Sequence, residues 1–274
     1  MSAIGSVVVS GGFDDIRARH LRLLQQAAAL GEVTVLLWSD ESFQKLTGKA
    51  PRFPAAERLY LLQAVRYVSR VLLASAPASP NSLPDMDGLQ FSVWVDEENA
   101  QNAARAEYCR KHGLRYHVVP ELDLRHFPAV TPLPSCAGRK KVIVTGCYDW
   151  FHSGHVRFFE EVSTYGELYV VVGHDANIRL LKGEGHPLVP QDERRYLVGS
   201  IRHVHEALIS TGDGWLDAEP EIRRLNPDIY AVNEDGDKGG KREYCQKAGL
   251  EYLVLKRTPA PGLAARSSSE LRGF

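Results

Sequence analysis

Cysteine is scarce in this chain of 274 residues: Cys109, Cys136, Cys147 and Cys245 are the whole set, and no two stand as CxxC. So few thiols exclude a disulfide-stapled scaffold and point to a reducing, cytoplasmic setting. Long apolar runs are lacking as well. No stretch approaches the roughly 20 residues of a membrane-spanning helix. The opening MSAIGSVVVSGGFDD has neither the basic start nor the apolar length of a secretory signal. Charge imbalance is missing too, since 33 Lys and Arg stand against 34 Asp and Glu, a formal net charge of −1. That balance gives no footprint for nucleic acid and none for an anionic membrane surface. With 44% hydrophobic and 24% charged residues, the chain is globular in composition and long enough for two cores.

What the chain does contain, it contains twice. VVVSGGFDDIRARHLRLLQQAAALGEVTVLLWSD (7–40) aligns with VIVTGCYDWFHSGHVRFFEEVSTYGELYVVVGHD (142–175), pairing Gly11 with Gly146, Asp14 with Asp149, His20 with His155 and Asp40 with Asp175. PAAERLYLLQAVRYV (54–68) pairs with PQDERRYLVGSIRHV (190–204), and EYCRKHGLRYHVV (107–119) with EYCQKAGLEYLVL (243–255). Cys109 and Cys245 coincide, which suits a small buried helix residue better than a reactive thiol. The repeat predicts two domains, 1–120 and 140–274, joined by the Pro-rich, aperiodic linker 121–139. In each half short apolar strands such as VIVTG, LYVVVG, DIYAV and EYLVL alternate with the helical patterns HVRFFEEVSTYG, ERRYLVGSIRHV and GGKREYCQKAG. Continuous apolar strands between amphipathic helices predict an α/β fold. Each half is then a Rossmann-like parallel sheet, with ligands beyond the C-terminal strand ends.

Residues 145–157, TGCYDWFHSGHVR, lie at such an end. If a helix starts near Ser153, with that serine as cap, the imidazoles of His152 and His155 share one side of its first turn. The first-turn N–H groups and the helix dipole favour anions, phosphates above all, and Gly154 removes a side chain from their approach. Imidazole N–H donors suit a phosphate that gains charge during displacement. Attack on an α-phosphate with loss of pyrophosphate needs positioning and charge stabilisation rather than a protein nucleophile. Two histidines at a helix start also occur as plain surface caps. A zinc site needs a different spacing and further ligands, so no metal ligand is assigned. Near the C-terminus, Ser267, Ser268 and Ser269 precede ELR and form a second cluster suited to capping and anion binding.

With strand, G-C-Y-D-x-x-H-x-G-H and helix in that order, the second half resembles the HxGH nucleotidyltransferases, in particular the cytidylyltransferases for glycerol 3-phosphate and phosphoethanolamine. DANIRLLKGEGHPLVPQDERRYLVGSIRHV (175–204), NPDIYAVNEDGD (226–237) and KRTPAPGLAARSSSELR (256–272) are similar to further segments of that superfamily, in its order. The resemblance implies catalytic roles for His152, His155 and Lys182. It implies nucleotide contacts from Thr145, Gly146, Cys147, Tyr148, Asp149, Gly154, Asn233, Asp235, Arg257, Thr258, Ser267, Ser268 and Ser269. Asp175, Arg194 and Arg195 are implied on the acceptor side, and Mg²⁺ is implied as a cofactor held mainly through the triphosphate. The expected reaction moves CMP from CTP to a small phosphorylated alcohol or related phosphate or phosphonate. An adenylyltransferase using ATP with a phosphopantetheine, mononucleotide or flavin type of acceptor is the alternative, and a non-catalytic nucleotide-binding regulator is a second. Two departures bear on the acceptor: Ala264, Ala265 and Arg266 lengthen the closing motif, and NEDGDKGG lacks the family's tryptophan.

In the first half Arg17 replaces His152, Arg19 replaces Gly154 and Thr47 replaces Lys182. Residues 1–120 are therefore expected to be a degenerate, structural copy. The tandem layout resembles phosphoethanolamine cytidylyltransferase in architecture, with a homodimer, or a pseudo-dimer of the two halves, as the expected assembly. Arg17 and Arg19 offer an alternative role as a regulatory anion site.

Overall fold

A computed structural model describes residues 5–74, 83–84, 88–268 and 271, so Ser269 of the closing cluster lies outside the described residues. The chain divides into two compact units, Met1–Phe127 and Pro128–Phe274, with the division inside the aperiodic stretch.

The first unit runs β1 (Ser6–Gly11), α1 (Ala18–Ala28), β2 (Glu32–Trp38), α2 (Asp40–Thr47), α3 (Ala55–Gln63), β3 (Arg70–Ala74), β4 (Val93–Glu97), α4 (Ala103–Lys111) and β5 (Arg115–Val119). Its five strands are all parallel, in the order β3-β2-β1-β4-β5. The second unit runs β6 (Lys141–Gly146), α5 (Ser153–Val162), β7 (Glu167–Val172), α6 (Asp175–Lys182), α7 (Gln191–Gly199), β8 (Glu206–Ile209), α8 (Glu219–Leu225), β9 (Ile229–Asn233), α9 (Lys241–Ala248) and β10 (Glu251–Leu255). Its order, β10-β9-β6-β7-β8, is the first unit's order read from the opposite edge. The fold is thus one doubly wound α/β sheet written twice.

Burial explains why these segments are strands. Val7, Val8 and Val9, like Val142, Ile143 and Val144, are at most 1% exposed, because helices cover both faces of the central strands. Burying each such side chain contributes roughly 1.5–3 kcal/mol. Around them Ile143, Tyr169, Val171, Tyr230 and Cys245 form one cluster, and Val8, Leu36, Trp94 and Cys109 its counterpart. Helix α7 stops at Gly199, short of the ERRYLVGSIRHV pattern: Ser200 turns its hydroxyl back to Tyr196 O at 2.8 Å and the chain enters a turn. In both sheets the chain order reverses beside the first strand, between β1 and β4 and between β6 and β9, which opens a crevice at the strand ends. Among the described residues no helix is long and apolar enough to cross a membrane.

Candidate active site

The loop from β6 to α5 is held by a network that spans the crevice floor. Tyr148 takes a left-handed φ of 55°, and its ring lies 2.7 Å from where a Cβ on Gly146 would stand, so this tight turn needs a glycine there. Asp149 accepts from the backbone N–H groups of Leu188 and Val189 at 2.9 and 2.8 Å, tying the loop to the segment before α7. Arg194, 1% exposed, donates to Val189 O at 2.8 Å, Cys147 O at 2.6 Å and Asp175 Oδ1 at 2.5 Å. The first unit repeats this bond for bond. Phe13 has φ 47°, Asp14 accepts from the N–H groups of Arg52 and Phe53, and Arg58 donates to Phe53 O, Gly12 O and Asp40 Oδ1. A network kept in a half that lacks HxGH serves the fold. In this structure Arg194 and Asp175, expected on the acceptor side, bond to each other, and Asp149 latches the loop to Leu188 and Val189. Arg195, half-buried on α7, pairs with Asp192 at 3.0 Å.

Above this floor stand the two histidines. The helix cap is His152 itself, in place of the expected Ser153: its Nδ1 accepts from Gly154 N at 3.1 Å. His155 Nδ1 accepts in turn from His152 N at 3.3 Å. The rings stack 4.0 Å apart, and Phe151 and Tyr148 pack on His155. Gly154 makes room for an imidazole as much as for a ligand, since a Cβ there would lie 2.9 Å from His152 Cε1. Burial, then the charges of Arg257 and Arg266, push His152 down to about 4. Burial, His152, Arg257 and Lys182 hold His155 well below its ordinary value. Both rings are therefore neutral at physiological pH. With each Nδ1 occupied as an acceptor, the ring proton resides on Nε2, which becomes the donor left for a ligand. His152 Nε2 lies 3.5 Å from Ser268 Oγ.

These groups border a cavity of about 290 Å³. Its floor is the strand ends, Thr145 to Tyr148 on one side and Ala231 to Asn233 on the other. Thr145 is fixed by a 2.8 Å hydrogen bond between its hydroxyl and that of Tyr230. One wall is His152, Gly154, His155 and Phe158; the other is Asp235, Gly236 and Lys241. Arg257, Ser267 and Ser268 close it. Arg257 pairs with Asp235 and donates to Arg266 O at 2.6 Å, pinning the closing segment across the mouth. Thr258 sits in an adjoining recess of about 20 Å³ beside Gly154. Lys182, at the exposed end of α6 before Gly183, is not among the cavity's wall residues, though its charge is felt at His155.

The sequence reading missed Lys241. It is the first residue of α9, half-buried, donates to Gly236 O at 2.8 Å, and is lowered from its ordinary value by burial. The one available signal was its place, a lysine directly after two glycines where a helix begins.

A family model described as cytidylyltransferase-like matches residues 8–119 and, again, 143–272. The FAD synthase of Thermococcus kodakarensis is 38% identical over 123 residues, covering 43% of this chain and 80% of that protein. The FAD synthase of Ferroglobus placidus is 33% identical over 120 residues, 43% of this chain and 75% of its own length. Bifunctional protein HldE of Aliarcobacter butzleri is 37% identical over 120 residues, 43% of this chain but 24% of that protein. Matched in both halves by one model, and carrying the HxGH helix start at a Rossmann-like crevice, the chain belongs to the cytidylyltransferase-like family of the HxGH nucleotidyltransferase superfamily.

Proposed function

We propose that the second half transfers the adenylyl group of ATP to a flavin phosphate. The observation that carries nucleotidyl transfer is the stacked pair of neutral imidazoles, each with Nε2 as its donor, at a helix start inside a 290 Å³ cavity. The acceptor's phosphate oxygen attacks the α-phosphorus in line, the bond to the β-phosphate oxygen breaks, and pyrophosphate leaves. His152 and His155 donate to the phosphate oxygens as their charge rises, at the positive end of the α5 dipole. Lys241, Arg257 and Ser268 line the path of the triphosphate, and Lys182 adds positive charge from α6.

Among the described residues Asp235 is the single carboxylate on the cavity wall, already paired with Arg257, and no cluster of three or more His, Cys, Asp or Glu gathers for a metal. This donor set fits Mg²⁺ arriving on the triphosphate, where it neutralises phosphate charge. ATP is favoured over CTP because the FAD synthases are matched over three quarters or more of their length. Arg194, on α7, makes internal bonds that do not distinguish the two nucleotides.

The test is pyrophosphate release by the purified chain with Mg²⁺. Each of ATP, CTP, GTP and UTP is paired with flavin mononucleotide, glycerol 3-phosphate and phosphoethanolamine. Release with ATP and flavin mononucleotide is expected. Release confined to CTP with a phosphorylated alcohol would move the reading to a cytidylyltransferase. Silence with every pair would leave a nucleotide-binding regulator.

A further inference from the structure

A cavity of about 430 Å³ occupies the same crevice in the first unit. The registers define the equivalences. Val7 pairs with Val93 as Val142 pairs with Ile229, so Asp96 stands where the second half has Val232, and Glu97 where it has Asn233. Arg105 stands where it has Lys241. The phosphate-facing chemistry is thereby cancelled in matched pairs. Arg17 binds Asp15 at 2.7 Å, Arg19 binds Glu97 at 2.7 Å and Glu121 at 2.5 Å, and Arg105 binds Asp96 at 2.6 Å. The anion site that Arg17 and Arg19 suggest from sequence is therefore taken up by carboxylates of the protein. What survives is the shape and its rings. Phe13 and Trp38 line the cavity with Leu23 and Leu46, Trp38 Nε1 donates to Ser10 Oγ at 3.2 Å, and His20 repeats the cap of His155 by accepting from Arg17 N at 3.0 Å.

We propose that this crevice is a second ligand site, shaped for an uncharged, ring-bearing molecule of nucleoside size and closed to triphosphates. The volume falls within the roughly 300–1,000 Å³ usual for small-molecule pockets. Aromatic and aliphatic walls suit a planar ring, while the guanidinium groups of Arg19 and Arg105, which would otherwise attract phosphate, are already engaged by Glu97, Glu121 and Asp96. Arg19 also fills the approach that Gly154 leaves open in the second half. The site is independent of the reaction assigned to the second half.

Hydrogen–deuterium exchange on the full chain localises the answer. Adenosine, cytidine, riboflavin and ATP are titrated separately, reading the peptides over 9–13 and 95–102. At least one of the three uncharged probes is expected to slow exchange there, at a half-saturating concentration about tenfold or more below that of ATP. Ala100→Trp and Thr47→Trp, at two exposed residues that line the cavity, are each expected to remove that protection, and one folded variant with an unchanged thermal midpoint suffices for the comparison. Absence of protection by all three uncharged probes at millimolar concentration overturns the proposal. So does equal protection by ATP, or protection that survives a folded tryptophan variant.

Discussion

At the scale of single residues, the chemistry turns on one nitrogen of each ring. Backbone N–H groups engage Nδ1 of His152 and of His155, so both side chains act as neutral Nε2–H donors and not as cations. His155→Ala should leave the far-UV circular dichroism unchanged and lower turnover about a hundredfold or more. Turnover within a few-fold of wild type would remove its role. The same burial makes a stability prediction. An unfolded imidazole binds its proton near 6.5, whereas folded His152 does so only at about 4. Between those values the unfolded state holds more protons, so the His152 contribution is full above pH 6.5 and is lost as pH falls toward 4. The loss amounts to about 3 kcal/mol when complete. Urea unfolding at a series of pH values should show this decline, and His152→Gln should flatten it. Equal slopes for the two proteins would contradict it.

At the scale of elements, the strand-to-helix loop and its latch form one part, built twice. Arg194→Leu should cost about 3 kcal/mol by leaving buried carbonyls and Asp175 without their donor, and Arg58→Leu should cost a similar amount through Asp40. Denaturant unfolding measures both, while pyrophosphate release should fall only for Arg194→Leu. The alternation of strands and helices was legible because it depends on local patterns: apolar runs such as VVV and VIV, and glycines that close helices. The latch was not. An arginine in ERR reads as a charged surface, and the N–H groups that Asp149 receives lie some 40 positions along the chain, at Leu188 and Val189. The HxGH pair was legible because cap and ligand groups lie within four residues. Lys241 was not: Gly236 lies only five positions before it, but its place on the wall opposite His152 and His155 depends on how β9 packs beside β6. The strand β8 was equally hidden, because EALI is too short to carry a period.

At the scale of the whole molecule, two units of one topology differ in what their crevices carry. His20→Ala in the first unit should leave pyrophosphate release by the full chain unchanged, whereas the equivalent His155→Ala should remove most of it. A comparable loss from both would mean that the first crevice takes part in turnover. Comparison of the halves shows which parts recur with the same bonds, such as Asp14 with Asp149 and Arg58 with Arg194, and which differ, such as Arg17 against His152; His20 and His155 share a cap but not their surroundings. The contact between Gly154 and the His152 ring has an evolutionary consequence. An imidazole restored at position 17 would need glycine at 19 in the same step, because a Cβ at the matching place comes within 2.9 Å of the ring. Deleting Arg19 would in turn leave Glu97 without its cation, while Glu121 keeps Arg125 at 3.0 Å. Giving the first copy the second copy's helix start therefore takes paired changes at 17 and 19 together with a new partner for Glu97.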